Sequence, residues 1–247
     1  MSVSLVILAA GAGTRMNSDL PKVLHKIGGS PLLHHAMTAG RSLDADRTVV
    51  VAGHGADAVT RATLDFDDEA LVALQTEQLG TAHAVAQAAP LLADASGDVI
   101  VLYGDTPFIR AETLTAMREA RVRHAVVVLG FYAADPGRYG RLITDGEALH
   151  RIVEFKDATD QELDITLCNS GVICADTQVL FNLVAAVGNA NASGEYYLTD
   201  IVEIARARGL SAGVVLCDEA ETLGVNNRAQ LADAEHLFQI RTRAEAL

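Results

Sequence analysis

The chain has 247 residues, half of them hydrophobic, enough to bury one sizeable core. Nineteen basic against thirty-two acidic residues leave a net charge of −13, which repels the backbone of nucleic acid and an anionic membrane surface alike. Any phosphate bound here must therefore be held by a few local cations, by backbone N–H groups or by a metal.

The first apolar run, Leu5–Leu8, is short, lacks a basic lead-in and runs straight into glycines. It reads as a buried strand rather than a signal peptide. It opens the stretch LAAGAGTRMNSDLPK, residues 8–22. Gly11 and Gly13 let the main chain turn sharply, and the N–H groups there can cradle an anion. Arg15 adds a planar fork and Lys22 a compact positive charge after Pro21. A dinucleotide fingerprint needs glycine at position 16, which is Met16, and no Gly-Lys-Ser/Thr follows to make a P-loop. A phosphate loop of another kind remains, beside the plainer reading of a glycine turn with surface cations.

Ser30, Pro31 and Gly40 bracket a helix over Pro31–Ala39, followed by a strand at Thr48–Val51. In QTEQLGTAHA, residues 75–84, the amide of Gln75 suits the edge of a base such as uracil, with Gly80 and Thr81 close in sequence. A loop with Thr81 capping a helix over Thr81–Leu92 is the alternative. DVIVLYGDTPF, residues 98–108, contains a strand, Val99–Tyr103, with a carboxylate at its C-terminal end, the edge where parallel sheets bind ligands. Gly104 permits close approach, and Asp105 can ligate Mg²⁺, which needs only one or two protein carboxylates beside substrate phosphates and water. A simple Asp-Thr-Pro turn is equally compatible.

A helix over Glu112–Ala120 and a strand at Ala125–Gly130 come next. IVEFKDAT, residues 152–159, reads as a strand with Glu154 and Lys156 on one face, either as a surface ion pair or as a sugar-binding carboxylate beside a phosphate-binding lysine. Asn169 precedes a strand at Val172–Cys174. A helix over Tyr197–Ala207 leads to a strand at Gly213–Leu216. In GVNNRAQL, residues 224–231, Asn226 and Asn227 sit at a helix start, and Leu231, Ala234, Leu237 and Phe238 share one face of that helix. Cys168, Cys174 and Cys217 lack metal or disulfide spacing and read as core residues of a reduced, cytosolic protein. The eight histidines show no metal spacing, and no apolar run reaches membrane-span length. The alternation of strand and helix predicts an α/β domain, a mostly parallel sheet with helices on both faces. Its expected extent is residues 1–227, with residues 228–247 as a terminal connecting helix.

Taken together, LAAGAGTRM, DLPK, QTEQLGTAHA, LYGD, RYGR, IVEFKDAT, NSG, GEYYLTDI and GVNNR resemble, in order and spacing, the N-terminal half of the bacterial bifunctional N-acetylglucosamine-1-phosphate uridyltransferase/glucosamine-1-phosphate acetyltransferases. The resemblance runs from about Val3 to Arg228. It implies a Rossmann-like nucleotide-diphospho-sugar transferase fold with a mostly parallel mixed sheet. It implies UTP and a sugar 1-phosphate as substrates and Mg²⁺ as cofactor, with no nucleic acid or membrane partner. By resemblance, the backbone of Leu8, Ala9, Ala10 and Gly11, with Gln75, Gly80 and Thr81, holds uridine. Arg15 and Lys22 hold phosphates beside Gly13. Asp105, next to Gly104, and Asn227 ligate the metal, while Tyr103, Gly140, Glu154, Asn169 and Thr199 meet the sugar. Members of that family continue into a β-helix that binds acetyl-CoA and forms the trimer. With the sequence ending at Leu247, the acetyltransferase activity and that route to oligomers are expected to be absent, in a piece of a longer protein or in a free-standing transferase. The same chemistry on glucose 1-phosphate, transfer to a non-sugar phosphate, and a non-catalytic nucleotide-sugar-binding module are the alternatives.

Overall fold

The computed structural model describes residues 2–146 and 148–245. In chain order the strands and helices are β1 (Val3–Ala9), β2 (Lys26–Ile27), β3 (Ser30–Pro31), α1 (Leu32–Arg41), β4 (Arg47–Ala52), α2 (Ala56–Phe66) and β5 (Leu71–Leu74). There follow α3 (Thr81–Ala86), β6 (Asp98–Tyr103), α4 (Ala111–Arg121), β7 (Val126–Tyr132), β8 (Arg141–Asp145), β9 (Ala148–Val153) and α5 (Asp160–Leu163). The chain closes with β10 (Leu167–Asp176), α6 (Thr177–Val184), α7 (Ile201–Ala207), β11 (Ala212–Leu216) and α8 (Arg228–Glu245).

Nine strands form one sheet in the order β5-β4-β1-β6-β10-β7-β11-β9-β8, and β2 pairs with β3 separately. The first four are parallel, and β7 and β11 are parallel to each other. β10 runs antiparallel between β6 and β7, and β8 and β9 add an antiparallel pair. Strand residues alternate between two apolar layers, as a two-residue period requires. Val6, Leu8, Val49, Val51, Val99 and Val101 face α3, α6 and α7. Leu5, Ile7, Val50, Ile100 and Leu102 face α1, α2 and α4. Strands buried on both faces explain the unbroken apolar runs. A third cluster joins Met16, Ile27, Leu32, Phe108 and Val225 to Leu231, Ala234, Leu237 and Phe238 of α8, the face that its spacing marks.

Several boundaries differ from the sequence expectation. Helix α3 ends at Ala86, and Ala89–Leu92 is a separate 3-10 turn with Pro90 in its first turn, because proline cannot donate inside a continuing helix. Leu198–Asp200 is likewise a 3-10 turn leading into α7. The strand expected through IVEFKDAT stops at Val153, where the chain turns and the Asp157 N–H donates to the Glu154 carbonyl (2.9 Å). Glu154 and Lys156 are therefore not on one strand face, and Lys156 Nζ instead donates to Ser193 Oγ (2.9 Å). Asn169 lies inside β10, next to a shift in register. The three cysteines are free, with Cys168 and Cys174 buried. Burial pushes the thiols of Cys174 and Cys217 up to about 12, which suits packing rather than reaction. Among the described residues no helix is long and apolar enough to cross a membrane.

Helix α1 meets β1 where Leu5 Cδ1 occupies the space that a Cβ on Gly40 would need, 2.2 Å away. Leu5→Ala is expected to cost about 2–5 kcal/mol and Gly40→Ala about 1–3 kcal/mol. The double variant should be more stable than the sum predicts, because the new methyl enters the space left by the leucine. Denaturant unfolding of the four proteins measures this, and strict additivity would refute the packing.

Candidate active site

The C-terminal ends of β1, β4 and β6 share one edge of the sheet, and the loops leaving them build the site. After β1 the chain turns at Gly13, whose φ of +60° is left-handed, and enters a 3-10 turn, Thr14–Met16, anchored by buried Met16. A Cβ on Gly13 would lie 2.6 Å from Lys22 Cβ, so glycine is needed both for the turn and for the close return of the chain onto Lys22. Pro21 introduces a second 3-10 turn, Lys22–Leu24, whose Leu24 N–H donates to the Pro21 carbonyl (2.9 Å). From the far end of the chain, Arg228 Nε donates to the Met16 carbonyl (3.0 Å), tying the loop to the start of α8.

Beyond β6, the Gly104 N–H donates to the Leu8 carbonyl (2.9 Å), and the Val225 N–H donates to the Asp105 carbonyl (2.9 Å). These backbone bonds bring Lys22, Asp105 and Asn226 together. Lys22 Nζ pairs with Asp105 Oδ2 and donates to Asn226 Oδ1 at 3.1 Å. Arg15 Nη2 donates to the same amide oxygen at 3.1 Å. The Lys22 and Asp105 side chains are each only 15% exposed, so their attraction is less screened than that of a surface pair.

The asparagine assignment requires correction. Asn227 Oδ1 accepts from the Gln230 N–H (2.9 Å), which makes it the cap of α8. Asn226 turns its amide oxygen to Lys22 and Arg15 instead, while its own N–H donates to Gln230 Oε1 (2.8 Å). An amide oxygen already holding a helix N–H is poorly placed to ligate an ion, whereas the Asn226 amide oxygen faces the cations of the site.

Two hollows meet at this point. One, of about 380 Å³, is walled by Leu8, Ala9, Ala10, Gly11, Lys22, Gln75, Gly80, Thr81, Tyr103, Asp105 and Asn226. The other, of about 610 Å³, is walled by Arg15, Tyr103, Asp105, Asn226, Arg138, Tyr139 and Ser170, among others. Tyr103, Asp105 and Asn226 belong to both. Neither Gly13, against Lys22, nor Gly104, against Val23 and the Leu8 carbonyl, lines either hollow. Gly140, Glu154, Asn169 and Thr199 form a neighbouring group. The Asn169 N–H donates to the Gly140 carbonyl (2.9 Å), and Asn169 Oδ1 accepts from the Gly171 N–H (2.9 Å). Gly171, at φ +91°, lies under the Tyr103 ring, where a Cβ would come within 2.6 Å of Cε2.

The Thr199 hydroxyl donates to Glu154 Oε1 (3.0 Å). Burial nevertheless pushes the Glu154 carboxyl above its ordinary value, with Asp200 and Asp157 adding to the rise and the Thr199 hydroxyl opposing it. Burial also drives the Tyr103 phenol far upward, reinforced by Glu154 and Asp105, so it stays a neutral hydroxyl. Sequence reading missed Arg138, Ser170, Gln78 and Glu195 in the walls; each lies in a stretch quoted for the resemblance, RYGR, NSG, QTEQLGTAHA and GEYYLTDI, but no spacing rule singles it out from its neighbours. Asn226 did carry a usable signal. Gln230 stands three residues after Asn227, the spacing of a capping box, and that assigns the cap to Asn227 and frees Asn226.

Residues 5–162 match the family model of the MobA-like NTP transferase domain. The chain is 73% identical over 246 residues to "Bifunctional protein GlmU" of Cereibacter sphaeroides (strain ATCC 17025), covering all of this chain and 54% of that protein. It is 63% identical over 247 residues to the protein of the same name from Ruegeria pomeroyi, covering 55% of it. The chain thus spans about half the length of the curated relatives it matches. Among solved structures, UDP-glucose pyrophosphorylase complexed with UDP-glucose superposes with a TM-score of 0.77 at 15% identity, over 98% of this chain and all of that one. The inositol-1-phosphate CTP transferase from T. maritima gives 0.72 at 18% identity, over 92% and 90%. At such identities these two establish the fold alone.

The raised Glu154 carboxyl has a signed consequence. The folded state binds that proton more tightly than the unfolded chain, so stability falls as pH rises through the window that begins at an ordinary glutamate's value. Below that window both states are protonated and the effect vanishes. Glu154→Gln is therefore expected to raise Tm over wild type at neutral pH but not near pH 3. An equal difference at both pH values would contradict a strained carboxylate.

Proposed function

The chain belongs to the MobA-like NTP transferase domain family, and on that premise we propose that it transfers the uridylyl group of UTP to N-acetylglucosamine 1-phosphate, releasing pyrophosphate and forming UDP-N-acetylglucosamine. The observation that carries this reading is the Lys22 ammonium lodged between the oxygens of Asp105 and Asn226 where the two hollows meet. A cation held there lies between a seat for the nucleotide and a seat for the second substrate. The stretches that resemble uridyltransferases and the high identity to the bifunctional relatives support the choice of UTP and of the acetylated sugar.

The same donor set fits Mg²⁺. It offers one carboxylate and one amide oxygen, both hard, and a cationic group already occupies the space between them. Among the described residues no group of three or more His, Cys, Asp or Glu side chains could hold a metal. Mg²⁺ takes most of its ligands from phosphates and water, so one carboxylate and one amide oxygen suffice. Asp105 and Asn226 would hold it, and when bound it would neutralise and align the phosphates of the two substrates.

The residues of the chain divide the remaining work. The backbone of Leu8–Gly11, with Gln75, Gly80 and Thr81, seats the uridine. Tyr103, Gly140, Glu154, Asn169 and Thr199 meet the sugar, where Glu154 can accept from sugar hydroxyls and the Asn169 NH₂ can donate. The sugar phosphate is the nucleophile. Its second pKa is about 6, so it is already largely dianionic and needs no strong general base. Accordingly the chain contributes position and charge rather than an activated nucleophile. Arg15 and Lys22 stabilise the pyrophosphate as it departs. Lys22 can exchange its carboxylate partner for a phosphate without leaving the site, since its three N–H groups rotate about a flexible stem. These cations act locally against an overall charge of −13. UTP and sugar phosphates are cytoplasmic metabolites, and this reading places the chain with them.

Pyrophosphate release separates the assignments. Asp105→Asn should abolish Mg²⁺-dependent turnover with the fold intact, and Lys22→Ala should lower kcat by roughly 10²–10³. Asn226→Ala should lower turnover by roughly 10², whereas Asn227→Ala should cost about 1 kcal/mol of stability and leave turnover near wild type. Normal turnover in Asn226→Ala, with loss in Asn227→Ala, would reverse the assignment.

A further inference from the structure

The nucleotide seat contains a side chain whose orientation another residue controls. Gln75 follows β5, and its N–H donates to the Ala52 carbonyl (2.8 Å), which fixes its backbone to the sheet. The residue is 4% exposed and lines the smaller hollow. Its Nε2 lies 3.1 Å from the Gly80 carbonyl and 3.1 Å from His83 Nδ1. A carbonyl only accepts, so the atom facing Gly80 is the amide nitrogen. The second N–H of that nitrogen meets the imidazole, whose Nδ1 then accepts and whose proton sits on Nε2. Gln87 Nε2, which donates to the His83 carbonyl (3.0 Å), lies 3.2 Å from that ring nitrogen, so with this tautomer the half-buried Gln87 amide turns to offer its oxygen to the ring proton. Both N–H groups of the Gln75 amide are thereby used. Oε1, an acceptor only, is what Gln75 has left for a base.

We propose that His83 is a positioning residue that holds the Gln75 amide with its oxygen toward the base and so sets the preference for uracil over cytosine. The inference rests on the reading that this hollow seats the pyrimidine. Uracil presents N3–H, a donor, and Oε1 matches it. Cytosine in the same seat presents a bare N3 lone pair, which an amide oxygen repels. Without the imidazole one amide N–H loses its partner in a buried setting, where an unpaired donor is costly. The amide then turns to seek an acceptor, and cytosine N3 supplies one. The hydrogen bonds of Gly80 and His83 together hold both torsions at the end of the side chain, whereas Gly80 alone holds one N–H.

The test measures UTP and CTP affinity by calorimetry on the full chain, and kcat and KM by pyrophosphate release, in wild type, His83→Leu and His83→Asn. Wild type should favour UTP. His83→Leu should reduce the UTP-to-CTP affinity ratio by about tenfold, the scale of one buried hydrogen bond, with the loss appearing in KM for UTP. His83→Asn, whose side-chain oxygen lies near the position of Nδ1, should restore most of the ratio. An unchanged ratio in His83→Leu, an equal loss for both nucleotides, no rescue by asparagine, or a wild type without preference would each overturn the proposal. A ratio that shifts as expected in a protein that releases no pyrophosphate with N-acetylglucosamine 1-phosphate would uphold His83 and refute the proposed reaction.

Discussion

The structure depends on one ionic contact, the Lys22 ammonium held by the Asp105 carboxylate and the Asn226 amide oxygen. It joins the loop after β1, the end of β6 and the segment before α8, which are more than 200 residues apart from first to last. Nothing local in the sequence would bring these together. The parallel pairing of β1 with β6 sets the first two side by side, and the Val225 N–H on the Asp105 carbonyl places the third. Helix α8 is held against the glycine loop by Arg228 and by the cluster around Met16 and Val225, so the terminal helix is part of the site's support.

A compact ionic group in an acidic protein has a clear chemical use. With a charge of −13 the protein as a whole repels nucleotides, so on the proposed function attraction must come from cations concentrated at one point. Arg15 and Lys22 are two cations brought together there, both on Asn226 Oδ1. The hollow on one side is lined by backbone and an amide, suited to a base and ribose. The group on the other side, Glu154 with Thr199 and Asn169 with Gly140, is rich in donors and acceptors suited to hydroxyls. Tyr103, its ring over Gly171, stands between the two.

Much of this was legible in the sequence where burial writes a strong pattern. Strands β1, β4, β6 and β7 lie inside the sheet, and their apolar runs mark them. The edge strand β5 has four residues, and β8 and β9 alternate weakly in a hairpin, so neither leaves a comparable trace. Helix α2 follows Gly55, which provides no side-chain cap, and so it begins without a sequence signal. At the site the structure brings Leu8–Gly11, Lys22, Gln75, Gly80, Thr81, Tyr103 and Asp105 around one hollow, but one choice turned on a single position. Two adjacent asparagines can each cap a helix, and only the partner three residues on distinguishes them. The places of His83 beside Gln75 and of Arg138 in a wall of the site depend on which loops meet in space, which spacing along the chain does not encode.

The most direct test of the account is pyrophosphate release with UTP and Mg²⁺ across a panel of sugar 1-phosphates. The account predicts release that requires both substrates and is fastest with N-acetylglucosamine 1-phosphate. No release with any sugar 1-phosphate, or a clear preference for glucose 1-phosphate, would contradict it.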